Sequence, residues 1–296
     1  NPAGLAGLTC PAAYGYNQNS FDDLSKSMLS YVYPTQYGVF SAAYLSDTLA
    51  GINIADETGL IVDSIGYTQS MTTLGYALPL LNDKVYLGGA FKYYKNDLDG
   101  GMYTVSGQDI DLGLIYKVQN NFQIGVSYQN LHGGVMGMGG LQWSTGTQEA
   151  FAGVIRLGVA LKLRLFSKPT AVYTSLDNFV GNNYPGALNF GIEPELCRNF
   201  VMRLGFNQNN YSLDRKKTLN DIYIGAGINY SDMQIDYTYS VNSMDEKGNR
   251  HLISLGMTFD TPKTVITPIA PSYGPMTNTA LAGDIIELTS DDLGSL

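Results

Sequence analysis

Asp221-Ile-Tyr-Ile-Gly-Ala-Gly-Ile-Asn-Tyr230, then Ser231-Asp232, then Met233-Gln-Ile-Asp-Tyr-Thr-Tyr-Ser-Val241 is the stretch on which the fold turns. In its second half Met233, Ile235, Tyr237, Tyr239 and Val241 share one face, while Gln234, Asp236, Thr238 and Ser240 share the other. A period of two marks a strand with one apolar and one polar side. A third such segment, His251-Leu-Ile-Ser-Leu-Gly-Met-Thr-Phe259, follows after a polar run. Strands of this kind serve either a soluble sandwich, half-buried, or a closed barrel facing lipid. The connections along the rest of the chain choose between the two.

Working outward, alternation and turn chemistry place about fourteen strands. They cover 8–17, 26–33, 36–45, 66–79, 84–95, 108–118, 122–131, 151–165, 169–177, 186–196, 199–208, 219–230, 232–241 and 251–260. Many are close to the roughly 9–11 residues that a tilted strand needs to cross a bilayer. The joints at 34–35, 80–83, 119–121, 167–168, 197–198 and 231 are short. Those at 18–25, 46–66, 96–108, 131–149, 177–185, 208–219 and 242–250 are longer, and short alternates with long from end to end. A soluble sandwich has no reason to sort its loops in this way. An outer-membrane barrel does, with short periplasmic turns and long external loops. The pattern predicts an all-β protein of the bacterial outer membrane: a closed antiparallel transmembrane β-barrel set in lipid, both termini periplasmic.

Composition agrees. Only 15% of the 296 residues are charged, against about 25% in a typical soluble domain. The 22 tyrosines and 34 glycines suit a protein with a greasy outside and a polar inside. No run approaches the roughly 20 apolar residues of a membrane helix. A net charge of -9 without a basic stripe excludes a nucleic-acid partner. Cys10 and Cys197 are too few for a disulfide framework, and a single bridge between them is left open.

The parity of the charges sharpens the topology. Arg156, Lys162 and Arg164 oppose Ile155, Leu157, Val159, Leu161, Leu163 and Leu165. Asp111 and Lys117 oppose Ile110, Leu112, Leu114 and Tyr116; Glu193 and Glu195 oppose Phe190 and Ile192; Arg203 opposes Met202 and Leu204. A basic charge at midplane on the lipid side costs roughly 2–4 kcal/mol, so these faces must point inward. Asp111, Lys117, Arg156, Lys162, Arg164, Glu193, Glu195, Arg203 and Asp236 are therefore expected as a luminal charged network. Ion pairs that fill the barrel are the plainer reading of it and a selectivity filter the sharper one. Tyr31, Tyr33, Tyr93, Tyr94, Tyr116, Tyr128, Phe166, Tyr230 and Phe259 fall at strand ends, where interfacial girdles belong.

Motifs that carry chemistry are sparse. Gly133-Gly-Val-Met-Gly-Met-Gly-Gly140 lacks phosphate-loop spacing and reads as an external loop. His132 lies in that loop, and His251 shares the outward parity of Ile253 and Leu255, so neither suits a luminal nucleophile. No Cys/His cluster has zinc spacing, and the acidic run 47–63 lacks the EF-hand pattern. The reading is non-enzymatic, with no cofactor and no metal.

Alternation stops at Phe259. Pro262, Pro268, Pro271 and Pro275 then prevent ladder pairing and suggest an extended linker. In Asp284-Ile-Ile-Glu-Leu288, the residues Ile285, Ile286, Glu287 and Leu288 make an acid-flanked apolar core that would add to a protein partner as a strand or short helix. The expected organisation is the end of an N-terminal luminal or periplasmic segment over 1–7, the barrel over 8–260, and a periplasmic docking tail over 261–296.

Asn1-Pro-Ala-Gly-Leu-Ala6 resembles a signature near the start of FadL-superfamily outer-membrane proteins. Lys84-Val-Tyr-Leu-Gly-Gly-Ala-Phe-Lys-Tyr93, Asp111-Leu-Gly-Leu-Ile-Tyr-Lys117, Phe122-Gln-Ile-Gly-Val-Ser-Tyr-Gln-Asn-Leu131 and the two segments 233–240 and 251–259 resemble its shorter PorV/PorQ-like branch. The resemblance implies a fourteen-stranded barrel with an N-terminal segment folded into the lumen. It implies, first, a PorV-like subunit of an outer-membrane assembly that docks protein partners or secreted cargo through its external loops and tail. The alternative is a FadL-like channel that takes up hydrophobic small molecules and holds such a ligand in its lumen. A structural barrel without transport is the third reading.

Overall fold

The computed structural model describes residues 1–20, 24–98, 101, 103–131, 140–180, 186–197, 199–210, 218–242 and 249–259. Fourteen antiparallel strands close into a barrel. In chain order they are β1 (Ala12–Ser20), β2 (Leu24–Thr35), β3 (Gly38–Ala55), β4 (Ile61–Leu80), β5 (Val85–Leu98), β6 (Tyr103–Gln119) and β7 (Phe122–Gln129). A short hairpin, β8 (Gly140–Trp143) and β9 (Gln148–Glu149), comes next, and β8 pairs with β6 over Val105 to Gln108, beyond the stretch of β6 that pairs with β7. The wall resumes with β10 (Gly153–Leu165), β11 (Lys168–Val180), β12 (Ala187–Cys197), β13 (Phe200–Asn210), β14 (Thr218–Tyr230), β15 (Met233–Asn242) and β16 (Arg250–Thr258). Each wall strand pairs with its chain neighbours, β7 with β10 across the hairpin, and β1 with β16 closes the ring.

Every expected strand is present, with boundaries moved for identifiable reasons. Residues 8–11 do not open β1, because Pro2–Gly7 is a 3-10 turn capped by the Asn1 side chain and pairing starts at Ala12. The expected long loops at 46–66 and 96–108 are largely strand. The ladder β3–β4 continues to Ala55↔Ile61 and β5–β6 to Leu98↔Tyr103. Ladder bonding sustains a strand past the lipid boundary even where the apolar alternation that betrays it has faded. The barrel therefore stands taller along β3 to β6 than elsewhere. At the tip of β3–β4, the exposed Asp56 carboxylate accepts from the Thr58 hydroxyl and from the amides of Leu60 and Thr58. These bonds, the hydroxyl's first, hold its carboxyl below the usual carboxylate range.

Turn chemistry sits at the other end. Phe166 and Ser167, at φ 50° and 66°, form a two-residue connection of the primed kind that matches strand twist. At Gly38, with φ +136°, an added Cβ would come within 2.7 Å of the Ala77 carbonyl oxygen, so only glycine fits.

The two faces separate as parity requires. Ile110, Leu112, Leu114 and Tyr116 of β6 are exposed on the outer wall, while Asp109, Asp111 and Ile115 are buried inside. On β15 the exposed Ile235 and Tyr237 alternate with buried Asp236 and Ser240. The girdle expectation fails at one place. Tyr93 faces out, so its chain neighbour Tyr94 must face in, where it packs on Phe151 and under the Lys92 ammonium. Cys10 and Cys197 are free thiols.

Candidate functional site

The lumen is filled from the short-turn end by the chain's first residues. Asn1 donates from Nδ2 to the carbonyl oxygens of Leu114 (3.3 Å) and Val126 (3.1 Å), opposite residues of the β6–β7 ladder, and accepts from the Ala3 amide (3.0 Å). Three glycines on adjacent strands make the seat. A Cβ on Gly88 would stand 2.5 Å from backbone atoms of Pro2 and Ala3. One on Gly113 would overlap the Asn1 side chain, and one on Gly75 would crowd Leu5. Ala3 and Ala6 are buried in an apolar cluster with Ala77, Tyr86 and Ile115, which continues to Ala160 and Tyr173 on β10 and β11. Tyr173 also lines the cavity described below, so plug and cavity share a side chain.

Further round the wall, one guanidinium gathers two carboxylates. Arg203 on β13 donates from Nε to Glu193 on β12 (2.6 Å) and from Nη1 to Asp236 on β15 (2.5 Å). It reaches β15 by passing over Gly227 of β14, where a Cβ would lie 2.7 Å from its Nη1. Gln234 and Ser254 donate to the second oxygen of Asp236. Arg203, Glu193 and Asp236 are 15%, 12% and 3% exposed, so this is a buried charge cluster with most of its bonding capacity used.

The expected luminal residues do not all share partners with it. Asp111 pairs with Lys92 (2.6 Å), which also donates to the Asn130 side chain (2.7 Å). Asn130 leaves β7 at φ 55° and donates from its amide back to Asp111. Lys117 donates to the Tyr86 hydroxyl. Arg156 makes a two-point pair with Asp177 (2.7 and 3.0 Å). Lys162 is buried at 2% exposure, Arg164 is exposed near the turn end, and Glu195 is half-buried on the inner face of β12. The docking residues Ile285, Ile286, Glu287 and Leu288, with the rest of 261–296, lie outside the described residues, as does His132.

Sequence parity misses Lys92, Asp177, Asn189 and Asn207 as luminal groups. Asp177 falls at the start of an expected loop. The signal is available in the two-residue turn at 166–167: counting outward from Leu165 opposite Lys168 brings Arg156 opposite Asp177.

Beside the charge cluster lies a cavity of about 150 Å³, lined mainly by β11 to β16. Its lining includes Tyr173, Asn189, Glu193, Arg203, Asn207 and Tyr223. Among the described residues no group of three or more His, Cys, Asp or Glu is placed to hold a metal.

No protein-family model matches the sequence, and neither does any curated protein. Solved structures do match in fold. The CymD monoaromatic hydrocarbon channel aligns over 88% of this chain and 92% of its own, at 11% identity and a TM-score of 0.62. The Pseudomonas putida toluene transporter TodX aligns over 87% and 91%, at 13% identity and 0.58. A Pseudomonas aeruginosa FadL homologue aligns over 88% and 92%, at 11% identity and 0.56. At these identities the likeness is one of fold.

Proposed function

We propose that this chain is a bacterial outer-membrane channel that admits small molecules of largely apolar body from outside. The observation that carries it is the lumen: a cavity on one side, and beside it a plug that sits in a glycine seat rather than in the wall. A barrel that only filled space would have no need of a glycine seat for the first residues of the chain. The named channels of the same fold support this reading better than they support a PorV-like assembly subunit. The test is flux of toluene and of glucose into vesicles carrying the purified chain. Faster toluene entry than in empty vesicles, with glucose excluded, is the expected result. Equal rates with and without protein would remove the channel reading.

The proposed orientation puts the short turns in the periplasm, as in other outer-membrane barrels. On intact cells, Thr58→Cys in the β3–β4 tip should react with a membrane-impermeant maleimide, and Ser231→Cys in the β14–β15 turn should not. Labelling at Ser231 alone would invert the topology.

A further inference from the structure

We infer that a cleft beside Lys95, on the outer face of the wall at its loop end, binds the phosphate-bearing headgroup of a membrane lipid. This goes beyond the channel reading and does not depend on it. The apolar belt ends abruptly at this place. On β5 the outward Leu87, Phe91 and Tyr93 give way to Lys95, and on β6 the outward Leu112 and Ile110 give way to Gln108 and Ser106. Register sets Tyr93 opposite Gln108 and Lys95 opposite Ser106, so the belt stops at one line across both strands. An aromatic side chain at the edge of the belt lies at headgroup level, and Lys95 is the next outward residue beyond it.

The cleft exists because β6 changes partners. Its pairing with β7 ends at Leu112, and β8 takes the same edge from Gln108 to Val105. Gln142 of β8 then lies opposite Ser106, which on its other side lies opposite Lys95. Two long side chains thus flank a short one. The hairpin is held there by the Ser144 amide, which donates to the Thr104 carbonyl (2.9 Å). The cleft measures about 460 Å³, and Tyr93, Lys95, Thr104, Ser106, Gln142 and Ser144 line it.

The lining offers hydrogen-bond donors around one positive charge. The luminal cations Lys92, Arg156 and Arg203 each hold a carboxylate. Lys95 is exposed, and its ammonium has no ion pair among the described residues. Ser106, Gln142 and Ser144 are exposed beside it, so their hydroxyl and amide donors are within reach of a ligand. In a chain of net charge -9 this ammonium is a local exception, and it draws an anion to one point. Phosphate suits the place, because its several acceptor oxygens take an ammonium and hydroxyl donors together. Depth chooses the source: beside Tyr93, at the edge of the belt, the phosphate at hand is that of a lipid. Asp97 shares this face one row further from the belt, opposite Thr104. Its charge turns anions away on the solvent side and leaves the approach from the membrane open.

The test places the full chain in phosphatidylcholine vesicles with a trace of dansyl-labelled lipid A, or of the same lipid without its phosphates. Trp143, the chain's one tryptophan, borders the cleft and passes energy to a dansyl group held there. The phosphorylated lipid should bind about tenfold more tightly, the difference one charge-assisted hydrogen bond makes. Lys95→Met should abolish that preference and leave the dephosphorylated lipid unchanged, whereas Lys95→Arg, which restores the charge, should keep it. Lys84→Met, at the turn end of the same strand pair, is the control and should behave as the wild type. Heat-modifiable migration checks that all three variants are folded. Inorganic phosphate in excess should fail to displace the lipid, since the membrane holds the headgroup at the cleft at high effective concentration. Equal binding of the two lipids, a Lys95→Met variant that keeps the preference, or a Lys84→Met variant that loses it would overturn the assignment. Displacement by inorganic phosphate would also overturn it, by giving the cleft to the free ion. Toluene flux is read separately, and neither result bears on the other.

Discussion

Replacing Gly88 with leucine should unseat the N-terminal turn and raise solute flux through the barrel, without unfolding it. The added Cβ would stand 2.5 Å from backbone atoms of Pro2 and Ala3, and backbone has no rotamer through which to yield. Overpacking of this kind costs about 1–3 kcal/mol, and about 1.4 kcal/mol is tenfold in an equilibrium. The ratio of seated to displaced turn should therefore fall by about tenfold to a hundredfold. The wall itself should persist, since the β4–β5–β6 ladders use backbone groups that the substitution leaves in place. Gly89→Leu is the matched control. It lies one residue along on the outer face, where the nearest atoms to an added Cβ are 3.7 Å away. Vesicle flux and heat-modifiable migration of both variants decide the matter. Unchanged flux in Gly88→Leu, with the barrel intact, would mean that the turn does not limit passage.

The wall was legible in the sequence because two independent regularities coincide in a barrel. Period two fixes which side chains face outward, and the short turns tie neighbouring strands into antiparallel pairs around a ring, although two connections read as long, 46–66 and 96–108, are mostly ladder. Met233 to Val241 carried the first, and the joints at 167–168 and 231 the second. The lumen was less legible, because its contacts join strands that are not neighbours in the chain. Arg203 reaches Asp236 across an intervening strand, and nothing in parity alone says which inward charge meets which. Glycines were harder still. Gly75, Gly88 and Gly113 look like ordinary barrel glycines until the first residues of the chain are seen lying on them. The misplaced Tyr94 has the same root. Aromatic content marks a strand end, but only parity tells a girdle residue from a luminal one, and Tyr93 and Tyr94 cannot share a face.

Arg203→Met should be the most destabilising of the luminal charge substitutions. It removes the only guanidinium bonded to both Glu193 and Asp236 among the described residues, and it leaves two buried carboxylates facing each other's charge. Breaking a buried pair from one side costs about 3–5 kcal/mol, because what remains is an uncompensated charge. Here two such charges remain. Gln234 and Ser254 still donate to Asp236, which softens the loss on that side, while the bond from Arg203 Nε is the one that holds Glu193. Arg156→Met should cost less, since it exposes Asp177 alone. The decisive comparison is with the triple variant Arg203→Met, Glu193→Gln, Asp236→Asn. It removes all three charges at nearly constant volume and should recover most of the stability, as exchange of a buried ion cluster for neutral groups is often near neutral. Urea unfolding in detergent, followed by heat-modifiable migration, measures the wild type and all three variants. If Arg203→Met unfolds at the wild-type midpoint, water reaches the cluster freely and the carboxylates are not buried in the physical sense. If the single variant is destabilised and the triple is no better, Arg203 acts through packing of its stem over Gly225, and charge is not what it supplies.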